Sequence, residues 1–127
     1  MLNNILEIKG KSRFTHTMLL SFLDTMLDSY LNGFDKVLVL SVKLGDYLKY
    51  DSDIFQIETE LFNQIEALKA VIKGNTNKKL VVIDNYNDLK YCATYRVNQD
   101  FAEVFNGLVT DLLTKAEELD IEVVLVN

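Results

Sequence analysis

The sequence predicts an α/β domain, a three-layer sandwich on a short, mainly parallel four-stranded sheet. Three observations carry that expectation. Val37–Val42 and Lys79–Asp84 are apolar, β-branched runs of strand length, the pattern of strands covered on both faces. Longer stretches with apolar residues three and four apart alternate with them, as amphipathic helices do. Alternating strands and helices join most simply as parallel strands with right-handed crossovers.

Each element follows from its residues. Ile5–Lys9 reads as a short first strand. Thr17–Asn32 reads as a helix, with Leu19, Phe22, Leu23, Met26, Leu27 and Tyr30 on one face and Asn32-Gly33 as its stop. Val37–Val42 is the second strand. Ser52 or Asp53 then caps a second helix running to about Lys73, with Ile54, Ile57, Leu61, Ile65, Leu68 and Ile72 as its inner stripe. Gly74-Asn75-Thr76-Asn77 breaks it, and Lys79–Asp84 is the third strand. Asn85–Gln99 is polar and aromatic without clear period, so a loop is expected there. Asp100 with Glu103 resembles a capping box at the start of a third helix ending near Leu119. Ile121–Val126 closes the chain as the fourth strand.

Composition bounds the function classes. A chain of 127 residues, 49% apolar and 25% charged, is the size of one domain, taken as 1–127. No unbroken apolar stretch exceeds four residues, against the roughly 18 or more of a membrane helix, so no membrane partner is expected. The start, Met1-Leu2-Asn3-Asn4-Ile5, lacks the pattern of a secretory signal, and the expectation is a cytoplasmic domain. One cysteine, Cys92, excludes an internal disulfide and a cysteine-based zinc site. The single histidine, His16, excludes His-pair metal sites.

Charge is unevenly placed. Residues 1–98 carry 12 basic and 12 acidic side chains, whereas residues 99–127 carry one basic and seven acidic, so the net charge of −6 resides in the last quarter. That balance argues against coating duplex DNA by bulk charge. Local basic groups remain, with Lys9, Lys11, Arg13 and His16 clustered near the start.

Binding sites in open α/β sheets gather at the carboxyl ends of strands. The first strand runs into Gly10-Lys11-Ser12-Arg13-Phe14-Thr15-His16-Thr17 and then directly into a helix. A phosphate-binding loop in that setting reads G-x-x-x-x-G-K-[ST]. Gly10 and Thr17 match it, while Thr15 stands for the second glycine and His16 for the lysine. The third strand ends in Asp84 after an apolar run, as a Walker B strand does, and the fourth ends in Asn127. Plainer readings stand beside these: Gly10 as a strand end, Asp84 as a turn or cap residue, and His16 as an ordinary first-turn residue.

In this order of elements and motifs the chain resembles the RecA-like recombinase family, over essentially its whole length but only that family's minimal core. The departures are chemical. His16 is mostly neutral at pH 7 and cannot replace a permanent positive charge. Thr15 adds a Cβ where the backbone must wrap a phosphate. No glutamate occupies Ser41–Asp46, where the family's water-activating residue follows the second strand. The resemblance therefore implies a RecA-like P-loop scaffold without hydrolytic machinery: a non-catalytic accessory that takes no cofactor and binds nucleic acid, single strands preferred. The alternatives are a protein–protein adaptor and a weak NTPase.

In that family the segment after Walker B contacts DNA. Here it holds Tyr86, Lys90, Tyr91, Tyr95 and Arg96, and aromatics beside cations suit sequence-tolerant single-strand binding. With Lys9, Lys11 and Arg13 they form the expected nucleic-acid surface, provided the acidic helix faces away. A homodimer is also expected, because a RecA-like sheet ending at its fourth strand leaves the first strand at an open edge.

Overall fold

The computed structural model describes residues 5–9, 17–21, 36–42, 44–48, 55–74 and 78–127. Its strands are β1 (Ile5–Ile8), β2 (Lys36–Leu40), β3 (Phe55–Glu58), β4 (Lys78–Ile83) and β5 (Glu122–Val126). The helices are α1, described over residues 17–21, then α2 (Leu61–Ile72), α3 (Tyr86–Cys92) and α4 (Gln99–Lys115). A 3-10 turn occupies Leu44–Tyr47, and a π-helical turn, Ala93–Val97, links α3 to the residue before α4.

The five strands form one sheet in the order β1-β5-β4-β2-β3, and all four pairings are parallel. The chain moves outward from β1 to β2 and β3, then returns to β4 and β5. With right-handed crossovers, such a reversal sends the two sets of connections to opposite faces. The buried side chains divide accordingly. On one face Ile65, Leu68 and Val71 of α2, Leu89 of α3 and Phe105, Val109 and Leu112 of α4 pack on Leu38, Leu40, Val81, Ile83, Val123 and Leu125. On the other, Leu19 of α1 and Tyr47 pack on Val37, Val39, Val82, Val124 and Val126. Alternate residues of β2, β4 and β5 thus feed two cores, and so these strands read as continuous apolar runs.

Three expectations change. Among the described residues the sheet has five strands, not the expected four, because β3 lies where the second helix is expected to begin. Ile57 fits a helical stripe with Ile54 and Leu61, but Phe55 and Ile57 also alternate with Gln56 and Glu58, and β2 pairs with them at the sheet edge. The expected loop 85–99 is largely helical, since Tyr86, Leu89 and Ala93 fall at three-and-four spacing and are buried. The N-cap of α4 is Asn98 and not Asp100: its Oδ1 accepts from the Phe101 amide at 2.7 Å, while Asp100 is exposed. Of the helix expected over Thr17–Asn32, only 17–21 lies within the described residues, and it is helical.

Candidate functional site

The carboxyl edge of the sheet brings together Lys9 after β1, Asn127 after β5, Asp84 after β4, Ser41 after β2 and Thr59 after β3. Connections leave β2 and β4 toward opposite faces, which opens the crevice where α/β ligands commonly bind. Asp84 lies there and is only 3% exposed. Its Oδ2 accepts from the Tyr47 hydroxyl at 2.7 Å and from Ser41 Oγ at 3.2 Å, and its amide donates to Leu40 O at 2.9 Å. The carboxylate therefore ties the Leu44–Tyr47 turn to the central strands. Asn85 follows in a left-handed conformation, φ 61°, that turns the chain sharply into α3. Its side chain accepts from the Asp88 amide at 3.2 Å and donates to Asp88 Oδ2 at 2.8 Å, capping that helix.

Gln64, in the first turns of α2, reaches back to the same edge. Its Nε2 donates to Glu58 O at 2.9 Å and to Ser41 O at 3.5 Å, while Oε1 is buried without a partner. Asn127 donates its amide to Ile8 O at 2.8 Å, and its Oδ1 is likewise buried and unpartnered. Ser41, Tyr47 and Gln64 did not emerge from the sequence reading. A signal exists for Gln64, which sits between Leu61 and Leu68 at positions where the helix stripe is otherwise apolar.

Of the expected phosphate-loop residues, Gly10, Thr15 and His16 lie outside the described residues, as do Lys11 and Arg13. Thr17 begins the described part of α1 and is exposed. Lys9 is exposed and its Nζ lies 3.4 Å from Glu7 Oε1. Among the described residues, no three His, Cys, Asp or Glu side chains are grouped to hold a metal ion.

The aromatic segment separates into two environments. Tyr86 is 8% exposed; its hydroxyl donates to Asn106 Oδ1, and Lys90 Nζ lies 4.7 Å from its ring centroid. It belongs to the core and not to an exposed stacking surface. Burial pushes its hydroxyl up from 10.0 to about 12. Unfolded chains ionise tyrosine near pH 10, so the stability linked to neutral Tyr86 is complete below that pH and is lost as pH climbs through about 12. Urea unfolding at about pH 9 and about pH 11 should therefore show a smaller loss for Tyr86→Phe than for the parent chain. Equal losses would mean that the hydroxyl is solvated.

Tyr91 and Tyr95, one helical turn apart, are 64% and 73% exposed, with ring centroids 4.5 Å apart and planes tilted by 43°. Exposed Arg96 lines a cleft of about 320 Å³ with Thr59, Glu60, Leu61, Phe62 and Val97. Lys90 lines a second cleft of about 290 Å³ whose walls include Glu103. The acidic helix α4 therefore does not face away from this segment, because it packs directly against α3 and the π-helical turn. Nearby, Phe62 is 64% exposed and meets Phe101 edge-on at 4.9 Å, and Val104 is 52% exposed. No protein-family model and no curated protein matches the chain, so the chemistry of the site is read from its own residues.

Proposed function

We propose that the chain is a non-catalytic RecA-like domain that binds single-stranded nucleic acid by stacking bases on Tyr91 and Tyr95. The observation that carries this reading is the exposed pair of rings with Arg96 next in sequence. The RecA-like part is supported by the parallel sheet, by Asp84 at the end of a central strand, and by the helical residues that follow the Gly10 segment. The non-catalytic part is supported by Asp84, whose carboxylate already accepts from two hydroxyls.

Charge contributes less than the sequence implies, since Lys9 is paired with Glu7 and Lys90 shares its cleft with Glu103. On this surface log K should fall against log[salt] with a slope of about −1, where engaging three or four cations would give roughly −2 to −3. Fluorescence anisotropy with a labelled oligothymidylate should show Tyr91→Ala and Tyr95→Ala each weakening binding by about 1–3 kcal/mol. Duplex DNA should bind less well, because paired bases offer no free face for stacking.

A protein–protein adaptor is the second reading, favoured by Phe62, Phe101 and Val104 beside exposed Asp100 and Glu103. Exposed aromatic clusters mark interaction surfaces, and acidic neighbours disfavour a polyanion. Failure of the parent chain to bind single-stranded DNA or RNA in low salt would move the function to this surface.

A further inference from the structure

The outer edge of β1 carries a pattern that does not depend on the nucleic-acid reading. Among the described strands β1 pairs only with β5, and Ile5 and Leu6 are 37% and 44% exposed. An exposed edge of this kind is a template for another strand.

Backbone geometry then limits how a strand can join. The Asn127 amide donates to Ile8 O, so Ile8 turns its backbone groups inward toward β5. Successive residues alternate in direction, so Leu6 also faces inward. Ile5, Glu7 and Lys9 therefore turn their N–H and C=O groups outward. A hydrogen-bonded antiparallel pair requires an outward residue opposite an outward residue. Two copies related by a two-fold axis can meet this condition with the axis at any residue from Ile5 to Lys9, but an axis at Ile5 or Lys9 overlaps residues 5–9 at that residue alone, too little to form a ladder.

Charge distinguishes the remaining registers and also disfavours the one at Lys9. An axis at Glu7 sets that carboxylate against Glu7 of the partner subunit, and one at Lys9 sets two ammonium groups together. An axis at Leu6 places Ile5 opposite Glu7 of the partner subunit, a carboxylate without a counter-charge. An axis at Ile8 places Glu7 opposite Lys9 of the partner subunit, and symmetry repeats that match. Glu7 and Lys9 share one face of the strand, their side chains are 41% and 71% exposed, and they already attract within one chain at 3.4 Å.

We infer that a second copy of this chain extends the sheet antiparallel along β1, with Ile8 on the two-fold axis and Glu7 paired to Lys9 of the partner subunit. The interface is isologous and closes at two copies. The two carboxyl edges then lie at opposite ends of one continuous sheet.

Light scattering at micromolar concentration should give twice the 14.6 kDa of one chain. Glu7→Lys creates like-charge pairs at both symmetric places and should raise the dimer dissociation constant roughly tenfold. Adding Lys9→Glu restores opposite charges and should return it to the parent value. Ile8→Cys, in a Cys92→Ser background, should oxidise to a covalent dimer, because directly opposed residues of a non-hydrogen-bonded pair lie within disulfide range. Leu6→Cys in the same background should not. A monomeric mass for the parent chain overturns the proposal. So does a Glu7→Lys variant that dimerises like the parent, since that result fits an axis at Leu6 or Glu7 and not one at Ile8. The charge-reversal arm involves exposed side chains and stands even if Ile8→Cys fails to fold.

Discussion

Phe105→Ala is expected to lower the free energy of unfolding by about 3–5 kcal/mol, the usual cost of deleting a buried ring. Phe105 is fully buried on α4, within the core shared by α2, α3, β4 and β5, and its ring lies 6.1 Å from that of Tyr86. Small domains are stable by only about 5–15 kcal/mol, so this one change consumes a large part of the margin. In urea the midpoint should fall while the slope stays unchanged, the sign of lost stability without a changed denatured state. The neighbouring Val104→Ala is the control. Val104 is 52% exposed, and its truncation should cost no more than about 0.5 kcal/mol. Similar costs at the two positions would contradict the packing of α4.

Asp84→Ala should cost about 3 kcal/mol in the absence of any nucleotide. The buried carboxylate accepts from Tyr47 and Ser41 hydroxyls, and hydrogen bonds to a charged group contribute roughly 1.5–3 kcal/mol each, less what relaxation recovers. Tyr47→Phe should lose part of that amount. In the double variant the two losses should not add, because both remove the same bond. Additive losses would mean that Asp84 and Tyr47 stabilise the fold independently. An Asp84→Ala variant as stable as its parent would show that the carboxylate has no structural task and would return it to a ligand-binding role.

What was legible in the sequence follows from which signals are local. β2, β4 and β5 were visible because each is buried on both faces and so lacks polar interruptions. β3 was not, since at the sheet edge Phe55 and Ile57 need only alternate, and four residues of alternation are also compatible with a helix. The helical nature of Tyr86–Val97 was obscured by Tyr91, Tyr95 and Arg96, which are exposed and break the apolar period. Asp84 could be singled out from its place after an apolar run. Its partners could not, because Ser41 and Tyr47 are brought to it by sheet order, which no spacing along the chain encodes. The same reason separates Tyr86 from Tyr91 and Tyr95: three tyrosines look alike in sequence, and only the packing of α3 on α4 buries one of them.

The pairing of β1 with β5 joins the two ends of the chain, Ile5 to Val123 and Ile8 to Val126. Contacts this distant along the chain are slow to find, whereas β4, α3, α4 and β5 are contiguous and can condense early. β1 is therefore expected to dock late in folding and, as a four-residue strand with largely exposed side chains, to exchange its amide hydrogens faster than β4 and β5. The surface it leaves is the edge of β5, whose Val123–Val126 run is apolar, β-rich and without a charge. Such a segment is the kind that nucleates aggregation when uncovered. The short first strand, with Glu7 exposed, thus acts as a guard over a self-adhesive segment of the chain.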